Sequence, residues 1–174
     1  GTVNSSGGAA LAPINGQLDD VTVDGTIDMS QFNANVQVLN GLTMGSGSTF
    51  LLGNSSGTLP ASILAGNTTA TPQAIDGGAI VFGGSGSSAI RNENHAALTF
   101  GPGLTIRGKN GQIYNNSGFG QVINQGTISA DTAAGTILIG NFNGTYTNAG
   151  TFSASNGGTF VVNTPSQLSN LSGG

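Results

Sequence analysis

The stretch Ile123 to Val162, "INQGTISADTAAGTILIGNFNGTYTNAGTFSASNGGTFVV", states nearly the same phrase twice. Asn124, Gly126, Thr127 and Ile128 return as Asn148, Gly150, Thr151 and Phe152, and Gly135, Thr136 and Ile137 return as Gly158, Thr159 and Phe160. Gly126 and Gly150 are 24 residues apart, Gly135 and Gly158 are 23 apart, and upstream Gly103 precedes Gly126 by 23 and Gly78 precedes Gly103 by 25. A period of roughly 20 to 25 residues that contains short strands is the mark of a solenoid laying down one coil per period. An earlier stretch, Asn40 to Leu59, lies over Asn124 to Tyr146 with a small deletion, so that "TFLLGN" meets "TILIGN" and one coil reads as written at least three times.

Within each copy, apolar and polar residues alternate: Val21 and Val23, Ile27 and Met29, Val36 and Val38, Ile128 and Ala130, Ile137 and Ile139. Period-2 alternation sends one set of side chains inward and the Thr, Ser and Asn set outward. Gly and Asn between the runs supply the left-handed corners that a coil needs, and no window carries a helical period. A lone coil cannot bury its apolar residues, so each rung must offer its neighbours the same inward residue at the same place. The repetition is therefore the core itself. The chain is expected to be all-β, a parallel β-helix of roughly seven coils of about 23 to 25 residues and on the order of 35 Å long. It reads as one domain over residues 1–174, with 1–17 as an N-terminal cap, 60–77 as a loop excursion marked by Pro60 and Pro72, and 164–174 as an irregular tail. The abrupt opening "GTVNSSGG" and the lack of a capping helix predict a piece of a longer protein with flanking domains.

Composition narrows the partners. Charged residues are 6% of the chain, net charge is -4, and the only basic side chains are Arg91, Arg107 and Lys109. Nucleic acid is therefore not an expected partner, because phosphate neutralisation needs many cations on one face. Apolar residues at 36% argue against disorder. Without cysteine there is no disulfide framework or thiolate site. No run approaches the roughly 20 apolar residues of a membrane span, so membrane insertion of this segment is not expected.

The "NxGTI" and "GTFVVN" phrases, separated by Gly/Asn/Ser turns with few charges, resemble the right-handed parallel β-helix passengers of bacterial surface adhesins, the autotransporters and filamentous-haemagglutinin-type exoproteins. The resemblance covers Leu18 to Asn163. It implies a right-handed coil, a secreted or cell-surface bacterial location, and a structural or adhesive role with host or matrix glycans or proteins as partners. A second expectation is a polysaccharide-active enzyme or carbohydrate-binding module on the same fold. A third is a segment of phage fibre or tailspike.

Candidate chemistry is sparse. Asp19, Asp20, Asp24 and Asp28 in "LDDVTVDGTIDM" are the densest carboxylates; oxygen-rich loops of this kind hold calcium, whereas ordinary turn residues also close Asx-turns. Arg91, Glu93 and His95 in "IRNENHAAL" share one strand face if the strand runs through all of them, which makes either a general acid/base group or an exposed ion-pair cluster. Arg107 and Lys109, one coil later, are placed beside it. Tyr114, Tyr146, Phe119 and Phe142 are candidate platforms for sugar stacking, or core residues. Thr127 with Thr151 and Thr136 with Thr159 are expected to stack as ladder residues, while "TYT" at Thr145 to Thr147 is a TxT of the kind seen in ice-binding arrays. Sequons at Asn4, Asn54, Asn67, Asn115, Asn143 and Asn170 are what an Asn/Ser/Thr-rich chain produces by chance. No cofactor is expected.

Overall fold

The computed structural model describes residues 1–31, 33–67, 69–93, 95–116, 120–140, 144–163 and 168–171. Among these there is no helix; every strand pairing is parallel, and the chain winds as a β-solenoid of about six turns, against the roughly seven expected. Each turn crosses three faces. The first holds Ala61–Ala65, Ala89–Asn92, Asn110–Asn115, Thr136–Gly140 and Thr159–Asn163. The second holds Gln73–Asp76, Ala97–Phe100, Gln121–Asn124, Thr145–Asn148 and Leu168–Asn170. The third holds Thr26–Asp28, Thr49–Leu52, Ala79–Phe82, Thr105–Gly108, Thr127–Ala130 and Thr151–Ala154. Two long strands, Gly16–Asp24 and Ala34–Met44, bend across the first two faces and join them into one 13-stranded sheet. They turn the corner where Asp20 (φ 49°) and Asn40 (φ 54°) adopt left-handed backbone, a conformation that Asn and Asp tolerate better than most residues.

Registration of the rungs builds the core. On the first face Val36, Ile63, Ile90, Ile113, Ile139 and Val162 form one inward row. On the third, Ile27, Phe50, Ile80, Ile106, Ile128 and Phe152 form another. Both rows are buried until the last rung, where Phe152 and Phe160 lie half exposed with ring centroids 4.9 Å apart and Val162 is 42% exposed. On the second face the row changes character from Leu42, Ile75 and Phe100 to Asn124, Asn148 and Asn170. Asn124 Nδ2 donates to Asn148 Oδ1 (2.8 Å) and Asn148 Nδ2 to Asn170 Oδ1 (2.7 Å), so amides replace aliphatic contact as the link between rungs. Asn92 and Asn115 repeat the device at 2.9 Å.

Three expectations change. Residues 60–77 are not an excursion: Ala61–Ala65 is a buried rung of the first face and Gln73–Asp76 a rung of the second. Inward Ala61 and Ala65 are too small to advertise the alternation, and only the corner between the two strands is loop. The likeness of "TFLLGN" to "TILIGN" crosses faces, since Thr49 pairs with Thr26 and Ala79 on the third face and Thr136 with Asn110 and Thr159 on the first. Both phrases begin a strand after a corner, and that shared local chemistry made them look alike. Residues 1–17 cover the first turn as a partial rung: Thr2–Asn4 pairs with Thr22–Asp24, Leu11 bridges Ile27, and Val3 and Leu11 pack on the core. In the tail, Leu168–Asn170 is a further rung.

Candidate functional site

Outward positions stack as faithfully as inward ones. On the first face Gln37, Leu64, Arg91 and Tyr114 share one row, each in register with the next. Arg91 sits on Ala89–Asn92, and Glu93 follows directly as the strand ends. Arg91 Nε and Glu93 Oε1 are 3.0 Å apart, an ion pair without good hydrogen-bond alignment, and the two side chains are about a quarter exposed (28% and 21%). Asn116 Nδ2 donates to Glu93 Oε2 at 2.8 Å from the neighbouring turn. Together with Gln37, Leu64 and Asn67 the pair lines a hollow of about 280 Å³. Gln37 and Leu64 also line a second hollow of about 240 Å³ with Asn15, Gly16 and Asn35, so this outward row is a wall common to both.

His95 does not complete the set in the way the spacing predicts. The strand ends at Asn92, so the i, i+2, i+4 alignment breaks before His95, which is exposed. Arg107 is not beside Arg91 either. It stands on the third face in the row of Val81 and Ser129, paired with Asp131 at 3.5 Å. Lys109 occupies the corner after Gly108.

The four early aspartates are dispersed over the corners and faces of the first turn. Asp19 Oδ1 accepts from Asn40 Nδ2 (2.7 Å), Asp28 Oδ1 accepts from Ser30 N (2.7 Å) as an Asx-turn, and Asp20 and Asp24 are exposed. Among the described residues, no three His, Cys, Asp or Glu side chains come together to hold a metal ion. Two aspartates that sequence reasoning passed over tie turns together: Asp76 Oδ1 accepts from Gly77 N (2.8 Å) and Gly103 N (2.9 Å), and Asp131 Oδ1 accepts from Gly108 N (3.2 Å).

Of the aromatic candidates, Tyr114 is half-buried on the row of Arg91. Tyr146 is 1% exposed, which removes it from the surface. It belongs to the inward row Leu98, Val122, Tyr146 and Leu168, and its hydroxyl accepts from Asn115 N at 3.2 Å. Burial raises its pKa above the ordinary 10.0, against the opposing pull of that hydrogen bond. Phe119 and Phe142 lie outside the described residues. Of the hollow's other members, Asn67 stands in a sequon, whereas Gln37 and Leu64 carry no motif and only the 27-residue steps from Gln37 to Leu64 and from Leu64 to Arg91 would have pointed to them.

Chemically the hollow offers one carboxylate already paired with a guanidinium, two side-chain amides and an aliphatic surface. Hydrolysis of a glycosidic bond by paired carboxylates needs a second one about 5 to 9.5 Å away, and Glu93 is the one carboxylate that lines this hollow. The set suits recognition by hydrogen bonds better than bond cleavage. Comparison with protein-family models, with curated proteins and with solved structures gives no match.

Proposed function

We propose that the chain is a structural and adhesive segment of a secreted or cell-surface bacterial protein, a rod that displays polar groups at a fixed repeat. The observation that supports this most is the coincidence of inward and outward registers. The same stacking that aligns Ile27 through Phe152 aligns Thr26, Thr49, Ala79, Thr105, Thr127 and Thr151 in one row beside it. Such a row spaces its rungs about every 4.8 Å along the axis, with a hydroxyl at each except Ala79. Each contact is weak, and affinity comes from engaging many at once. Host or matrix glycans and proteins are the partners this surface suits.

The test compares the biotinylated chain as a monomer with the same chain on streptavidin, applied to surfaces coated with polysaccharides or matrix proteins. Retention of the streptavidin form at least about 100-fold above the monomer is expected. Equal retention of both, or none of either, overturns the adhesive reading. Release of shorter products from a polysaccharide makes the chain an enzyme instead, and sedimentation as a trimer moves it to the fibre and tailspike class.

A further inference from the structure

We propose that the trough across the first face binds a short neutral oligosaccharide. This site is independent of the rod function and stands whether or not the segment is adhesive. The trough's two hollows lie on either side of Gln37 and Leu64, with Arg91, Glu93 and Asn67 lining one and Asn15 the other. Each hollow, about 280 and about 240 Å³, lies just below the usual range for a small-molecule site, and a ligand that engages both must pass over Gln37 and Leu64.

The chemistry matches sugar hydroxyls. Adjacent hydroxyls present a donor and an acceptor side by side, and planar groups such as guanidinium, carboxylate and amide meet them two atoms at a time. The trough places all three kinds along one line, with Leu64 as the apolar patch for a ring's C–H face. Tyr114 extends it, standing one rung beyond Arg91 in the same row.

The polar side chains are also held before any ligand arrives. Gln37 Nε2 donates to Gly66 O (3.0 Å), Asn67 Oδ1 accepts from Thr69 N (2.8 Å), and Asn15 Oδ1 accepts from Asn35 N (3.3 Å). Glu93 is fixed between Arg91 and Asn116. Side chains anchored in this way lose little freedom on binding, and affinity gains accordingly. Charge selects the neutral class: Glu93 offsets Arg91 within the hollow, and the chain as a whole carries -4, so an acidic glycan finds no net attraction.

The test is a titration of the isotope-labelled full chain with cellotetraose, chitotetraose and mannotetraose, and with tetragalacturonate as the acidic control, followed by amide chemical shifts. At least one neutral tetrasaccharide is expected to give saturable shifts clustered at residues 35–37, 64–67 and 91–93. Arg91→Ala is expected to weaken that binding at least about tenfold, and Arg107→Ala, on the third face, to leave it unchanged. Absence of saturation by every neutral sugar up to about 10 mM overturns the site. So do shifts that cluster on the third face, or unaltered affinity in Arg91→Ala. Tighter binding of tetragalacturonate overturns the neutral assignment. The wild-type shift map needs no variant, so the site can fail even if Arg91→Ala does not fold.

Discussion

Tyr146 and the asparagines show what single residues do in a stack. The buried Tyr146 phenol holds its proton more tightly in the folded chain than in the unfolded one. Its contribution to stability is therefore complete below pH 10.0 and is lost as pH rises through that value toward the higher folded one. Melting followed by circular dichroism should show the midpoint falling above about pH 10, and Tyr146→Phe should lose part of that fall. At neutral pH the same variant should cost about 1 kcal/mol, since the Asn115 N–H is left without its acceptor. Asn148 both accepts from Asn124 and donates to Asn170. Asn148→Ala should cost about 2 kcal/mol in urea denaturation and Asn170→Ala, at the exposed end, under about 1. Asn124 and Asn148 were legible as a repeat. Their role was not, because the row they extend begins as Leu42, Ile75 and Phe100, and a switch from aliphatic to amide contact leaves no periodic signal.

At the scale of strands, the sequence was informative where large apolar residues recur at alternate positions, and less so where one such residue stands alone, as Ile63 does between Ala61 and Ala65. The repeat from Gly126 to Gly150 predicts the register that pairs Thr127 with Thr151 and Ile128 with Phe152. Where the inward residues are Ala61 and Ala65 the rung was missed, and where two corners share a phrase the faces were confused. The hollow was half legible: Arg91 and Glu93 stand out in so uncharged a chain, whereas Gln37 and Leu64 acquire meaning only from register. The first-face row offers a graded test. Ile113→Asp places a carboxylate inside the stack and should cost at least about 4 kcal/mol, while Val162→Asp on the same row should cost about 1 because that rung is already open to water. Equal losses at both positions would contradict the register. Gly111 marks another constraint, since a Cβ there would sit 2.3 Å from the Phe82 ring. Gly111→Ala should lower stability by about 2 kcal/mol or more, by forcing that ring out of its place in the core.

Taken whole, the molecule is a one-dimensional array in which each turn rests on its two neighbours. Stability should follow position, and hydrogen exchange should show Thr151–Ala154 and Thr159–Asn163 opening well before Ala89–Asn92 and Asn110–Asn115. The steps along the third-face inward row, 23, 30, 26, 22 and 24 residues, show that turns differ in length while their strands stay in register, so the corners absorb the variation. The steps average 25 residues, within the expected period, and the turn count came out about one too high because the whole chain, ends included, was divided into full turns. The asparagine ladder adds a direction to the array. Asn124 Oδ1 is buried with no hydrogen-bond partner among the described residues, on the side where Phe100 precedes it, whereas Asn170 lies open at the other end. Every link donates the same way, and each polarises the next. The stack is thus polar along its axis: its unpaired acceptor faces Phe100 and its donors point toward Asn170.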